Sequence, residues 1–173
     1  MELGGNAPFV VFGDADLDAA VEGAMIAKMR HSAETCTAAN RFLVESSVVD
    51  AFTSKLAEAM SAVKVGNGFD PEVTCGPMID ESAVESIDRL VSAAVDGGAE
   101  AVIGGSPIEG PGYFYEPTVL TGVNANADIV HHEIFGPVAP IIPFDDLDAM
   151  VEQANDTEMG LTGYVYTSDL AKG

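Results

Sequence analysis

The sequence predicts an α/β domain built as three layers, α/β/α, around a mostly parallel sheet. Two observations point there. Short apolar runs of strand length alternate along the chain with longer segments of helical period, the pattern of helices laid against a parallel sheet. The 173 residues, 47% of them hydrophobic, suffice for one domain with a substantial core.

Phe9-Val10-Val11-Phe12 is an apolar run of the kind that forms a buried strand. Asp14 and Asp16 offer caps and negative charge for a helix N-terminus. Leu17, Val21, Ala24, Met25 and Lys28 follow at helical spacing, with the end expected near Arg30 to Ser32. Cys36 comes next, at a predicted loop-to-helix junction. Phe42-Leu43-Val44 is the second strand, and Ser46-Ser47 is the expected cap of a helix carrying Val49, Phe52, Leu56, Met60 and Val63. Gly66-Asn67-Gly68 and Asp70-Pro71 mark turns; no Lys-Ser/Thr follows, so this is not a phosphate loop. A helix through Val84, Ile87, Leu90-Val91 and Ala94-Val95 stops at Gly97-Gly98. Ala101-Val102-Ile103 is a strand, Pro107 to Pro117 an irregular loop, and Thr118-Val119-Leu120 and Ala139 to Phe144 are further strands. Asp145 opens a helix with Leu147, Met150, Val151 and Ala154. Gly163 to Thr167 is the last strand.

Seven Lys and Arg face 28 Asp and Glu, a formal charge of -21. Nucleic-acid binding rests on neutralising phosphates, so nucleic acid and anionic membrane surfaces are poor partners. The acidity reads as a well-solvated surface. No signal peptide and no apolar run of transmembrane length is visible. A chain of this size needs no disulfide staple, so Cys36 and Cys75 read as reduced thiols of a cytoplasmic protein. His31, His131 and His132 have no partners at ligand spacing, and no metal site is expected. The opening residues already belong to a motif and Lys172-Gly173 stop at the start of a helix, so the chain reads as a piece of something longer.

Cys36 and Glu2 carry the chemistry. A thiolate attacks carbonyl carbon, and a carboxylate activates water. An ordinary thiol, with a pKa of about 8.5, is only a few per cent ionised at pH 7. Activation by Glu2, by a helix N-terminus or by backbone N–H groups is therefore needed. Alone, Cys36 reads as a buried structural thiol and Glu2 as solvated surface; their motif context favours the chemical reading. Cys75, beside Gly76-Pro77, has no such context and reads as structural.

Four separated runs give that context: Glu2-Leu3-Gly4-Gly5-Asn6, Thr35-Cys36 through Asn40-Arg41, Glu133-Ile134-Phe135-Gly136-Pro137, and Ala154-Asn155-Asp156 leading into Gly160-Leu161. In this order they resemble the aldehyde dehydrogenase superfamily across nearly the whole chain. Asn6-Ala7-Pro8-Phe9 and Ala154-Asn155-Asp156-Thr157-Glu158 are similar to its succinate-semialdehyde dehydrogenase branch.

The resemblance implies that residues 1–173 are the nucleophile-bearing catalytic domain. The cofactor-binding domain, with an oxyanion Asn, and a C-terminal tail would lie outside it. It implies NAD or NADP as cofactor, an aldehyde as substrate, and a homo-oligomer for the full-length enzyme. Cys36 would form a thiohemiacetal and then a thioester, with its N–H as half of an oxyanion hole and Glu2 as general base. Glu133 would bond the nicotinamide ribose, Phe135 would lie near the ring, and Leu3 and Gly4 would line the same site. Arg30 would bind the distal carboxylate of the substrate, which suits a bidentate guanidinium; a helix-end cation beside the dipole is its alternative reading.

The pattern is not kept everywhere. Ala33 stands where the family has Gly, which implies strain if φ is positive there. His31 and His132 are also departures, and Ala38 stands where some relatives carry a second, redox-active cysteine. With half an oxyanion hole, the isolated chain is expected to be weakly active or inactive. Three rivals stay open. They are action on glutarate semialdehyde or a neutral aldehyde, a severed and non-catalytic interaction module, and hydrolysis of activated esters with Cys36 and Glu2 alone.

Overall fold

The computed structural model describes residues 3–173. Its centre is a six-stranded sheet in the order β3-β4-β5-β2-β1-β6. The strands are β1 (Ala7–Val11), β2 (Ala39–Glu45), β3 (Glu100–Ile103), β4 (Thr118–Thr121), β5 (Val138–Phe144) and β6 (Tyr164–Tyr166). Every pairing is parallel except that of the edge strand β3 with β4. The expected mostly parallel sheet is therefore present.

Alternation along the strands divides the core in two. Phe9, Val11, Phe42, Val44, Val119 and Ile141 face α1 (Leu17–Met29) and α2 (Val49–Ser61), through Ala20, Ala24, Phe52, Leu56 and Met60. Val10, Phe12, Leu43, Leu120, Ile142 and Phe144 face the other way. They meet α3 (Glu81–Asp96), the short α4 (Asp128–His131) and α5 (Leu147–Asn155) through Ile87, Leu90, Val91, Ile129, Val130 and Met150. This is the three-layer arrangement the strand–helix alternation predicts.

The helix ends have local causes. Asp16 accepts from the N–H groups of Asp18 and Ala19, Asp80 from Ala83, and Asp146 from Ala149. Each satisfies donors that a helix leaves open at its start. Ser46 and Ser47 do not cap α2, contrary to expectation. The Ser46 hydroxyl bonds the Phe144 carbonyl and the Ser47 hydroxyl bonds Glu45, leaving Val48 as an N-cap with no side-chain bond. The strand edges claim both hydroxyls first. No helix among the described residues is long and apolar enough to cross a membrane.

Candidate active site

The segment between α1 and β2 carries Cys36. It is not a loop-to-helix junction. Arg30–Ala33 form a tight turn, Ala38 N–H closes a second turn on the Thr35 carbonyl, and the chain then enters β2. No helix therefore starts at Cys36. His31, Ser32 and Ala33 have φ of 52°, 57° and 67°. Left-handed backbone costs an L-residue roughly 1–2 kcal/mol, so the strain anticipated at Ala33 is present and extends over three residues. Ala33 is fully buried.

Gly5 sits directly against the Cys36 backbone. A Cβ there would lie 1.8 Å from the Cys36 carbonyl oxygen, so only glycine fits. Gly5 N–H donates to Glu133 Oε1 at 2.9 Å, and a Cβ on Gly4 would lie 2.8 Å from Glu133 Oε2. The first, second and third motif runs thus meet at one point. Leu3 is exposed beside them. Phe135 has φ 52°, strained backbone of the kind that collects at functional sites.

Beneath this point lies a buried polar network. The Asn40 amide donates to Asn6 Oδ1 (2.6 Å) and the His132 carbonyl (2.8 Å), while Asn40 Oδ1 accepts from Ile134 N–H (3.1 Å). The Asn6 amide donates to the Val130 carbonyl at 3.0 Å. Arg41, fully buried, gives its guanidinium to the carbonyls of Asn6, Gln153 and Ala154. Two strands, the Glu133 loop and the end of α5 are tied together by these bonds. Asn6, Asn40 and Arg41 stand in the motif runs, which assign them no task. Polar residues inside apolar strand runs were the available signal, since buried polar groups need partners.

Lys28 is a further residue whose setting the sequence does not announce. It is fully buried on α1, and its ammonium has no hydrogen-bond partner among the described residues. Burial lowers its pKa to about 7, partly offset by the charge of Glu133. Cys75 is also buried, and burial raises its thiol pKa.

Two small cavities flank the Cys36 turn. Cys36 lines one of about 210 Å³ with Asn6, Pro8, Arg41 and Thr157. Arg30, exposed at the end of α1, lines another of about 270 Å³ with Thr35, Thr37 and Tyr164. The structure therefore brings Gly4 and Glu133 together with Cys36. It sets Arg30 on the neighbouring face of the same turn, beside the two threonines that bracket the thiol. Glu2 lies outside the described residues. Among those described, no cluster of three or more His, Cys, Asp or Glu is placed to hold a metal.

The model of the aldehyde dehydrogenase family matches residues 1–173. The chain belongs to that family. Within it, the chain is 59% identical over 169 residues to a succinate-semialdehyde dehydrogenase of Paenarthrobacter nicotinovorans, covering 98% of this chain and 38% of that protein. It is 48% identical over 172 residues to the succinate-semialdehyde dehydrogenase (NADP+) GabD of Escherichia coli K12, covering 99% of this chain and 36% of that one. The crystal structure of a succinate-semialdehyde dehydrogenase from Burkholderia pseudomallei superposes with a TM-score of 0.96 at 48% identity, over 99% of this chain and 36% of that one. The chain thus spans little more than a third of the length of these relatives.

Proposed function

We propose that residues 1–173 are the nucleophile-bearing domain of an NAD(P)-dependent aldehyde dehydrogenase acting on succinate semialdehyde. The carrying observation is the contact of Gly5 with the Cys36 carbonyl while its N–H bonds Glu133. Residues far apart in sequence converge there on the Cys36 backbone, in a chain 59% identical to a succinate-semialdehyde dehydrogenase.

Cys36, as thiolate, forms a C–S bond to the aldehyde carbon, and the carbonyl electron pair moves to oxygen. The backbone N–H of Cys36 is one donor to that oxyanion. The chemistry required of a bound nicotinamide dinucleotide is acceptance of a hydride from this adduct, leaving a thioester on Cys36. Glu2 takes a proton from water, which attacks the thioester carbon, releasing the acid and the thiolate. The residues present fit the cofactor. Glu133 spends Oε1 on Gly5 and turns Oε2 toward the exposed Gly4 backbone, where a carboxylate oxygen can accept from a ribose hydroxyl. Leu3 and Gly4 would line that side and Phe135 would lie near the nicotinamide ring, as the family resemblance implies. Arg30 is the cation for the far carboxylate of the substrate, a useful local charge on a chain of net -21.

Acyl transfer tests this on the chain itself. Incubation with 4-nitrophenyl succinate followed by peptide mass spectrometry should place a succinyl group on Cys36 and not on Cys75. Cys36→Ser should abolish it. The succinate ester should react faster than 4-nitrophenyl butyrate, and Arg30→Ala should erase that preference. Acylation of Cys75 in preference to Cys36 would sink the nucleophile assignment; an unchanged preference in Arg30→Ala would sink the carboxylate role.

A further inference from the structure

We infer that Ser32 and Glu34 are positioning residues that clamp the strained loop before Cys36 onto the Cys75–Ile79 segment and so hold the thiol in place. The inference rests on the reading of Cys36 as nucleophile. The loop needs a restraint. His31, Ser32 and Ala33 hold three successive left-handed φ angles without a glycine among them, a conformation that persists only where the surroundings over-determine it. The burial of Ala33 fixes the end of the segment but supplies no hydrogen bond that opposes the strain.

Two side chains supply it. Ser32 Oγ accepts from Gly76 N–H at 2.8 Å, and Glu34 Oε1 accepts from Ile79 N–H at 3.0 Å. The receiving segment is itself anchored. Cys75 is fully buried, its N–H donates to the Lys64 carbonyl, and its own carbonyl accepts from Gly66 N–H. Downstream, Glu34 N–H closes on the His31 carbonyl, and the Tyr164 hydroxyl bonds the Thr37 carbonyl. Cys36 is therefore held on both sides, by the clamp two residues before it and by Tyr164 just after. Burial, with Asp80 close by, raises the Glu34 pKa. The site disfavours charge, so a neutral amide oxygen at the same place should accept from Ile79 equally well.

The test follows the rate of Cys36 alkylation by iodoacetamide in the folded chain, with the urea-unfolded chain as reference. Hydrogen exchange at the Glu34 and Ala38 amides is followed in parallel, and circular dichroism confirms that each variant is folded. Glu34→Ala and Ser32→Ala should each bring the Cys36 rate about tenfold closer to the unfolded value, the size of effect expected from one lost hydrogen bond, and should speed exchange at both amides. Glu34→Gln should restore both readouts to within about twofold of the parent chain, which general loosening would not predict. Ala33→Gly, which removes strain, should restore the rate in the Glu34→Ala background. Unchanged exchange and rate in folded Glu34→Ala would overturn the clamp, as would a Glu34→Gln variant as impaired as Glu34→Ala. A parent chain whose Cys36 reacts no faster than the unfolded thiol would instead overturn the nucleophile reading. Exchange at Ala38 would then decide the clamp by itself.

Discussion

Lys28 is a residue whose environment works against its charge. A fully buried ammonium with no hydrogen-bond partner among the described residues is expensive, and the Glu133 carboxylate only partly offsets the burial. The sign follows from linkage. The folded-state pKa, about 7, lies below the unfolded value of 10.5. Below pH 7 both states are protonated and the folded state bears the whole penalty. Between 7 and 10.5 the unfolded chain holds the extra proton, so stability rises with pH across that window. Lys28→Met keeps much of the side-chain volume and removes the charge. It should stabilise the chain at pH 6 by a few kcal/mol and by progressively less toward pH 10. Thermal denaturation of both chains at pH 6, 8 and 10 checks this; a constant difference in Tm would show that Lys28 does not titrate across that range. Nothing in the sequence around Lys28 announces its burial. It occupies a position of helical spacing that suits an exposed lysine equally well.

At the scale of elements, β1 and β2 are held to the Glu133 loop and to α5 by polar bonds as well as by apolar contact. Arg41 is the hub, because its guanidinium satisfies the carbonyls of Asn6, Gln153 and Ala154 at once. Arg41→Met fills the space but strands the Asn6 and Ala154 carbonyls, each worth roughly 1–3 kcal/mol when buried and unpaired, while Gln153 keeps its bond from Asp156 N–H. The expected loss is about 3 kcal/mol or more, read as a lower urea midpoint at constant m-value. A change within about 0.5 kcal/mol would mean that water reaches the carbonyls and that the hub is dispensable. The strands and long helices themselves were legible. Phe9 to Phe12 and the Val49 to Met60 spacing state their periods plainly, and both elements form. The Cys36 junction was misread because its geometry comes from three left-handed residues with no glycine, which no local propensity encodes. The serines before α2 were misread for a related reason, since their competing acceptors, Phe144 and Glu45, are revealed only by the fold. At the candidate site, Cys36, Gly4 and Glu133 were legible from their motifs and do meet. The Asn6–Asn40–Arg41 network, which holds them, depends on contacts more than 90 residues apart along the chain.

For the molecule as a whole, electrostatics opposes compactness. A formal charge of -21 is spread over 173 residues, and folding brings the carboxylates closer together than they lie in the unfolded chain. The lysine pairs found among the described residues relieve little of this. Lys55–Asp18 and Lys64–Glu72 are solvent-exposed, where an ion pair contributes at most about 1 kcal/mol. Lys172 reaches Asp14 at 3.7 Å, the outer range of such contacts. Salt therefore acts in opposite directions on the two kinds of charge interaction, and repulsion dominates by number. Raising ionic strength from roughly 0.01 M to 1 M shortens the screening length from about 30 Å to about 3 Å. That removes long-range repulsion between carboxylates while sacrificing only weak surface pairs. The melting temperature should accordingly climb by several degrees between low and molar KCl. Potassium chloride suits the comparison because its ions are neither strongly excluded from protein surfaces, as sulfate is, nor denaturing. Most of the rise should be complete once the screening length falls below the spacing of neighbouring carboxylates. A Tm that falls with added salt would mean that the exposed pairs outweigh the repulsion. A flat curve would mean that the acidic groups are already separated enough for water to screen them.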